Sequence, residues 1–245
     1  MNDLLETTIG AHGGLDRWRE ARTVTTSLRS WGQTWSIKSH PNVFSLWSTF
    51  AAATTSQSMQ VDPFNGAGRR GIYTPERVHI ESADGTILQE RAHPREAFKG
   101  HTLVSAWDHL HCLYFASYAM WTYLNLPFVA ARPDVDAQEI DPWVEESGEK
   151  WRRLRLTFPP QIATHTSVQD LYIDSNGLIA RHDYSVDVIP APLAAHYLFD
   201  YADYDGIQFP SLRKVVPLDA DNRPGPLSDP EALLIGIELR DYSVT

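Results

Sequence analysis

The residues best suited to chemistry are three histidines in the stretch from Ile162 to Lys214. His165, His182 and His196 fall on consecutive segments with strand-like patterns, separated by the turn dipeptide Asn176-Gly177 and by a proline-containing joint. Because adjacent antiparallel strands hold their side chains next to one another, these imidazoles are expected to lie close together in space. Imidazole can accept or donate a proton near neutral pH and can also bind a metal ion.

The segment 178–188 has the clearest orientation of the three. Its apolar face is made of alternate residues: Leu178, Ala180, His182, Tyr184, Val186 and Val188. Since successive side chains of a strand point to opposite faces, His182 and Tyr184 are predicted to face an apolar interior. On the segment 193–203 the facing of His196 stays open, because both faces carry apolar residues. His165 falls near a predicted strand end.

Three interpretations of these histidines remain open. In the first, each is a hydrogen-bonded residue of the core. In the second, His182 and Tyr184 form an acid–base pair, with His165 and His196 as supporting groups; burial lowers the pKa of a histidine, and a neutral imidazole is an effective base. In the third, His165, His182 and His196 bind a metal ion that keeps one position open for water.

A long apolar helix is predicted over 105–125, between a capping-box-like start at Ser105 to Asp108 and Pro127 just past its end. The i, i+4, i+7 spacing of its aromatic residues predicts a stripe that lines a ligand pocket. The predicted ligand-binding residues of this stripe are Trp107, His111, Tyr114, Tyr118 and Trp121. The alternative is a helix that only packs its aromatic rings on a sheet.

Composition restricts the class of protein. The 245 residues are 42% hydrophobic and 11% aromatic, which suits one domain, 1–245, with a sizeable core. The formal net charge of −10 argues against a nucleic-acid partner, which would need a clustered basic face. The single cysteine, Cys112, fits a reducing compartment. No signal-peptide pattern and no run near the ~18 apolar residues of a membrane span is present, so we expect a cytoplasmic protein.

The order of the elements predicts an α+β fold built on one strongly curled antiparallel sheet. A helix over 3–21, broken at His12 to Gly14, is followed by strand patterns from Val24 to Arg91, among them QTWSIKSH, residues 33–40. After the lid helix at about 105–126 come further strands, including the histidine-bearing meander 162–216. A sheet this large curls rather than staying flat. We therefore expect a half-open barrel with the helix across an apolar cavity.

Two stretches of the chain resemble the LolA-like lipoprotein-carrier superfamily. They are GGLDRWREARTVTTSLR near the start and the later run DLYIDSNGLIARHDY to AAHYLFDYADYDGIQFPSLRKVV. The resemblance implies an unclosed β-barrel with a helical lid and a hydrophobic ligand cavity. No export signal or lipid-attachment cysteine is found near the start, so the resemblance is to a cytoplasmic, bacterial branch rather than to the periplasmic carriers.

The signals for cofactor chemistry are missing from the sequence. There is no phosphate-binding Gly-rich loop, no G-x-S-x-G and no H-E-x-x-H, so no cofactor is predicted. The preferred hypothesis is an isomerase, cyclase or lyase that acts on an apolar or aromatic small molecule through His182 and Tyr184. The alternatives are a non-catalytic carrier of a lipid-like ligand and a three-histidine metal enzyme. The oligomeric state is not predicted.

Overall fold

A computed structural model describes residues 2–191 and 193–245, so Pro192 of the proline-containing joint lies outside the described residues. The described residues form a single thirteen-stranded antiparallel sheet. Its strands are β1 Thr23–Trp31, β2 Ser48–Ala53, β3 Met59–Asp62, β4 Arg69–Thr74, β5 Arg77–Ser82, β6 Ile87–Ala92, β7 Asp136–Val144, β8 Lys150–Thr157, β9 Val168–Ile173, β10 Ile179–Tyr184, β11 Ala194–Tyr204, β12 Ile207–Pro217 and β13 Ile235–Val244. The α-helices of the same residues are α1 Asp3–Ala11, α2 Leu15–Glu20, α3 Gln33–Ile37 and α4 His109–Asn125.

The sheet consists of two meanders joined by the first and last strands. The spatial order is β6-β5-β4-β3-β2-β1-β13-β12-β11-β10-β9-β8-β7, so β1 pairs with β13 in the middle. The edge strands β6 and β7 are not paired with each other in the described part of the chain. The barrel is therefore unclosed, as the sequence predicted.

Contacts of α4 show that the sheet curls around this helix. The Trp121 Nε1–H donates to the Ala53 carbonyl oxygen of β2, at 2.8 Å, while the Tyr123 hydroxyl lies 2.6 Å from that of Tyr184 on β10. In a flat sheet β2 and β10 would be about 24 Å apart, five strand spacings. A helix is only about 10–12 Å across. One helix can touch both strands only because the sheet wraps around it, which confirms the predicted half-open barrel.

The helix α4 begins four residues later than the sequence suggested. Asp108 is the N-cap: its Oδ1 accepts the His111 backbone N–H at 2.8 Å. The Ser105 hydroxyl instead accepts the Thr102 backbone N–H, so Ser105 stabilises the preceding loop. Every residue from Leu110 to Asn125 is buried. Among the described residues, no helix combines the length and apolar character needed to cross a membrane.

One local prediction was wrong. The segment QTWSIKSH forms α3 rather than a strand, because Gly32 (φ 122°) ends β1 and the N–H groups of Gln33 and Thr34 bond to the segment before β13. The outer face of β8 to β12, the face turned away from α4, carries a second apolar cluster, and Leu227 of the largely exposed loop 219–230 packs against it. The buried residues of this cluster are Trp151, Tyr172, Ala195, Tyr197, Val216, Leu218 and Leu233.

Candidate functional site

An apolar cavity of about 290 Å³ lies between α4 and the inner face of the sheet. The helix contributes one side of it, through Phe115, Ala116, Ala119, Met120 and Tyr123. The opposite side comes mainly from β1, β12 and β13, with further contributions from α3 and the loop 186–191. The two alanines leave room beside the helix because their side chains end at Cβ. The cavity is therefore a consequence of small residues on an otherwise bulky helix.

The predicted ligand-binding stripe does not line this cavity. None of Trp107, His111, Tyr114, Tyr118 and Trp121 is among its lining residues. The stripe instead turns toward the first meander and the segment 91–108: the Tyr114 ring packs 5.7 Å from that of Tyr73, and His111 closes the capping box with Asp108. The side of α4 that faces the cavity is formed by Phe115, Ala116, Ala119, Met120 and Tyr123. The alanine pair at 116 and 119 is the sequence signal that would have identified it.

A hydrogen-bonded group of aromatic residues forms the polar part of the cavity wall. The Tyr123 hydroxyl lies 2.9 Å from His165 Nε2 and 2.6 Å from the Tyr184 hydroxyl. His165 Nδ1 lies 3.1 Å from the Tyr118 hydroxyl, and its ring stacks on that of Tyr184 with 4.3 Å between centroids. Tyr123, His165 and Tyr184 all line the cavity. The predicted proximity of histidine and tyrosine is thus present, with His165 rather than His182 at its centre.

His165 is not on a strand, contrary to the expectation of one histidine per strand. It lies in the loop between β8 and β9, where its backbone carbonyl accepts the Asp187 N–H at 2.8 Å. The side chain is 3% exposed because this loop folds over the inner face and brings the ring against Phe115. Pattern analysis could not place it, since loop side chains have no fixed alternation.

His182 and His196 both face inward, in directly paired positions of β10 and β11. The His182 Nε2–H donates to Gln169 Oε1 at 2.6 Å, because the Gln169 amide nitrogen is already bonded to Thr164 and Thr166. The His196 ring packs 4.5 Å from that of Tyr123, and no described residue bonds to either of its nitrogens. Neither histidine is among the residues that line the cavity.

The inward facing of His182 and Tyr184 agrees with the strand pattern, but Ala180 does not share their face. The register between β9 and β10 shifts between Ile179 and Arg181, which is a β-bulge at Ala180. Ala180 therefore packs with the outer cluster. The pattern also missed that Arg181 and Asp183 are buried, on the outer face.

The three-histidine metal hypothesis has no support from this geometry. No group of three metal-ligating side chains occurs among residues 2–191 and 193–245. His165 has a tyrosine hydroxyl at each ring nitrogen, and His182 Nε2 is bonded to Gln169. Because both ring nitrogens of His165 are bonded, this imidazole has no free lone pair to direct at an ion shared with His182 and His196.

Burial keeps the whole group uncharged. It lowers the pKa of His165 and of His196 well below their usual range, and lowers that of His182 to about 3. Burial also raises the pKa of the Tyr123 and Tyr184 hydroxyls. The neutral side chains of Tyr118, His165, Tyr123 and Tyr184 are joined in a row of hydrogen bonds. Each of these groups can both donate and accept, so the donor in one bond sets the donor in the next. When His165 donates to Tyr123, the Tyr184 hydroxyl is left to donate to another acceptor.

We expect acid to destabilise the protein through these histidines. Below pH 6.5 the unfolded chain takes up a proton on His182, whereas the folded chain does so only near pH 3. The contribution of neutral, buried His182 to the free energy of unfolding is therefore complete above pH 6.5. As the pH falls below that value, this contribution is lost at about 1.4 kcal/mol per pH unit. Urea unfolding of wild type and His182→Gln between pH 7 and 4 measures it, and the variant should show a shallower decline. Equal slopes would contradict the burial-driven pKa of His182.

Comparisons with known proteins concern the fold. A DUF1329 family protein from Desulfovibrio piger is similar in structure, with a TM-score of 0.51 and 10% identity over 98% of this chain and 91% of that chain. A LolA superfamily protein from Nitrosomonas europaea aligns with a TM-score of 0.47 and 12% identity, over 94% of this chain and 91% of that chain. No protein-family model and no curated protein matches the sequence. The LolA-like resemblance predicted an unclosed sheet with a helix against its inner face. The strand order and the similarity to the first of these structures confirm that fold, and the similarity concerns the fold alone.

Proposed function

We propose that this protein binds a hydrophobic, lipid-like small molecule in the cavity between α4 and the sheet. The observation that carries the proposal is the cavity itself, with a volume of about 290 Å³ and a wall that is apolar except at a few residues. Small-molecule pockets begin at roughly 300 Å³ and combine an apolar lining with a few placed polar groups. The Tyr123–His165–Tyr184 group supplies such polar atoms here.

The size of the cavity favours a binding site over a packing defect. Cavities in protein cores cost about 24 cal/mol per Å³. For an enclosed and empty volume of about 290 Å³ the cost would be up to roughly 7 kcal/mol, a large share of the ~5–15 kcal/mol by which domains are stable. A core with larger residues at 116 and 119 would avoid this cost. A bound apolar molecule restores the missing contacts.

The test is native mass spectrometry of gently purified protein, followed by extraction and probe binding. We expect a retained hydrophobic molecule in at least part of the protein. After extraction, the neutral probe N-phenyl-1-naphthylamine should bind saturably with a one-to-one stoichiometry and be displaced by the extract. Protein that retains nothing and shows no saturable probe binding after extraction would overturn the proposal.

A second candidate function is proton transfer on the bound molecule, of the isomerase, cyclase or lyase type. One observation favours it: His165 and Tyr184 are hydrogen-bonded to the same Tyr123 hydroxyl and all three line the cavity. His182, the base expected from the sequence, lies behind this wall. In deuterium oxide, turnover should place deuterium on a carbon of the extracted molecule, and Tyr184→Phe should stop it. Unlabelled carbon with wild-type protein would leave binding as the function.

A further inference from the structure

Lys38 is a buried lysine at one end of the apolar cavity. It follows α3 directly, is 0% exposed and lines the cavity together with Leu103. Leu103 is 41% exposed, so the cavity reaches the surface at this end. Lys38 also bonds to the neighbouring loop: Nζ donates to the carbonyl oxygens of Thr102 at 3.1 Å and of Leu103 at 2.6 Å.

The ammonium group of Lys38 has no acidic partner within 4.0 Å in the part of the chain that the structure describes. The nearby Asp108 carboxylate is taken by Arg91, at 2.6 Å, and by His111, at 2.8 Å. The other close neighbour of Nζ is the Trp107 ring, 4.9 Å from its centroid. An ammonium has three N–H donors, and two carbonyl oxygens accept only two of them.

A buried charge without a counter-charge is unfavourable unless something pairs with it. Burial lowers the pKa of Lys38 from its usual value, which expresses the same penalty on the charged form. An anion beside Nζ would accept the third N–H bond and neutralise the charge. Ammonium–carboxylate and ammonium–phosphate bonds are about twice as strong as neutral hydrogen bonds.

We infer that Lys38 binds the anionic headgroup of a single-tailed amphiphile whose hydrocarbon tail fills the cavity. The inference rests on the proposed function and names the ligand class for the same site. A carboxylate and a phosphate monoester share the required chemistry. The ligand would enter tail first, with its headgroup held at the Leu103 end.

The position of Lys38 along α4 fits this orientation. Its carbonyl oxygen accepts the Trp107 N–H at 3.1 Å, which places it beside the start of the helix. Tyr123 lies near the other end, and at 1.5 Å per residue the helix rises about 21 Å from His109 to Tyr123. Between the two, the helix side of the cavity is made by Phe115, Ala116, Ala119 and Met120. An apolar path thus separates a cationic end from an uncharged hydroxyl end.

The test compares ligands that share a tail and differ only in the headgroup. Dodecanoate, dodecyl phosphate, 1-dodecanol and dodecylammonium are titrated against N-phenyl-1-naphthylamine bound to extracted protein. Wild type should bind at least one of the two anions about tenfold more tightly than the alcohol, equivalent to about 1.4 kcal/mol, and should bind dodecylammonium more weakly still. The tighter of the two anions identifies the headgroup as carboxylate or phosphate.

The variant Lys38→Met keeps an unbranched apolar side chain, one atom shorter, while removing the charge. It should reduce the anion-to-alcohol preference to about onefold, leaving the alcohol affinity within about threefold of wild type. Lys99→Met, an exposed lysine of the neighbouring loop, is the matched control and should keep the preference. Wild-type preference for the alcohol or the amine overturns the inference without needing a folded variant. An unchanged preference in Lys38→Met also overturns it, while absence of binding by all four ligands and the probe instead rejects the proposed function.

Discussion

Replacing Ala119 with tryptophan is expected to lower the affinity of the cavity for N-phenyl-1-naphthylamine by about a hundredfold or more, close to 2.7 kcal/mol. Ala119 is 5% exposed on the side of α4 that lines the cavity, between Phe115 and Tyr123 one helical turn away on either side. An indole at this position would occupy the space that the probe needs. Fluorescence titration measures the change directly.

The same substitution should leave the fold intact. A side chain that fills a cavity commonly stabilises a protein by ~0.5–2 kcal/mol, so the thermal midpoint of Ala119→Trp should be equal to or above that of wild type. Ala202→Trp makes the same chemical change at an exposed position of β11 and should bind the probe as wild type does. Wild-type affinity in a folded Ala119→Trp protein would show that the probe binds elsewhere.

Removing the Asp183 carboxylate is expected to cost about 3–5 kcal/mol of unfolding free energy, because it leaves the buried Arg181 guanidinium with only a more distant carboxylate, that of Glu145 at 3.9 Å. The Arg181 guanidinium is 0% exposed and bonds Asp183 through both oxygens at 2.7 Å. It also lies 4.5 Å from the centroid of the Tyr172 ring. Burial raises the pKa of Asp183 even beside this guanidinium, so desolvation is the larger effect. Urea unfolding of Asp183→Ala at pH 7 measures the loss.

An exposed pair offers the matched control. Arg152 and Glu139 bond with the same bidentate geometry at 2.8 Å, but both side chains are more than a third exposed. Glu139→Ala should therefore cost no more than about 1 kcal/mol. Replacing both buried partners, as Arg181→Met with Asp183→Leu, should recover much of the loss, since the buried guanidinium is removed together with its bidentate carboxylate. A loss in Asp183→Ala as small as that in Glu139→Ala would contradict this account of the outer face.

Ala119→Trp changes the cavity on the inner side of the sheet, whereas Asp183→Ala changes the ion pair on its outer face. Arg181 and Asp183 alternate along β10 with His182 and Tyr184, so one strand carries both the outer ion pair and part of the inner polar wall. The loop over the outer face is tied to this pair, because the Asn222 carbonyl oxygen accepts from Arg181 at 3.4 Å. The outer cluster thus holds β10 from behind while the cavity lies in front of it.

Local features of the fold were accessible from the sequence because they depend on neighbouring residues alone. Gly177 has a φ of 82°, as expected for the turn that separates two strands of the second meander. The break of the first helix at His12 to Gly14 is present, between α1 and α2. Strict alternation placed His182 and Tyr184 on the inner face. These features follow from backbone sterics and from the two-residue period of a strand.

The site itself depended on contacts between residues far apart in the chain. Alternation could not foresee the bulge at Ala180, nor the left-handed Asp200 (φ 58°) that turns Tyr201 back toward the main core. It could not place His165, whose loop is held by Asp187 from beyond the next strand pair. Helical periodicity predicted an aromatic stripe on α4 but could not show which side of the helix faces the cavity, because almost the whole helix is buried.

The sequence by itself thus determined most of the element types, the turns and the inward facing of one histidine and one tyrosine. Only the tertiary structure decided that His165 bonds to Tyr123 at the cavity wall, that Ala116 and Ala119 leave the space beside α4, and that Lys38 lies buried at its open end. The reason is physical. Turn and strand preferences act over a few residues, whereas a cavity is the volume left over when a curled sheet closes around a helix, and that volume depends on every side chain on both surfaces.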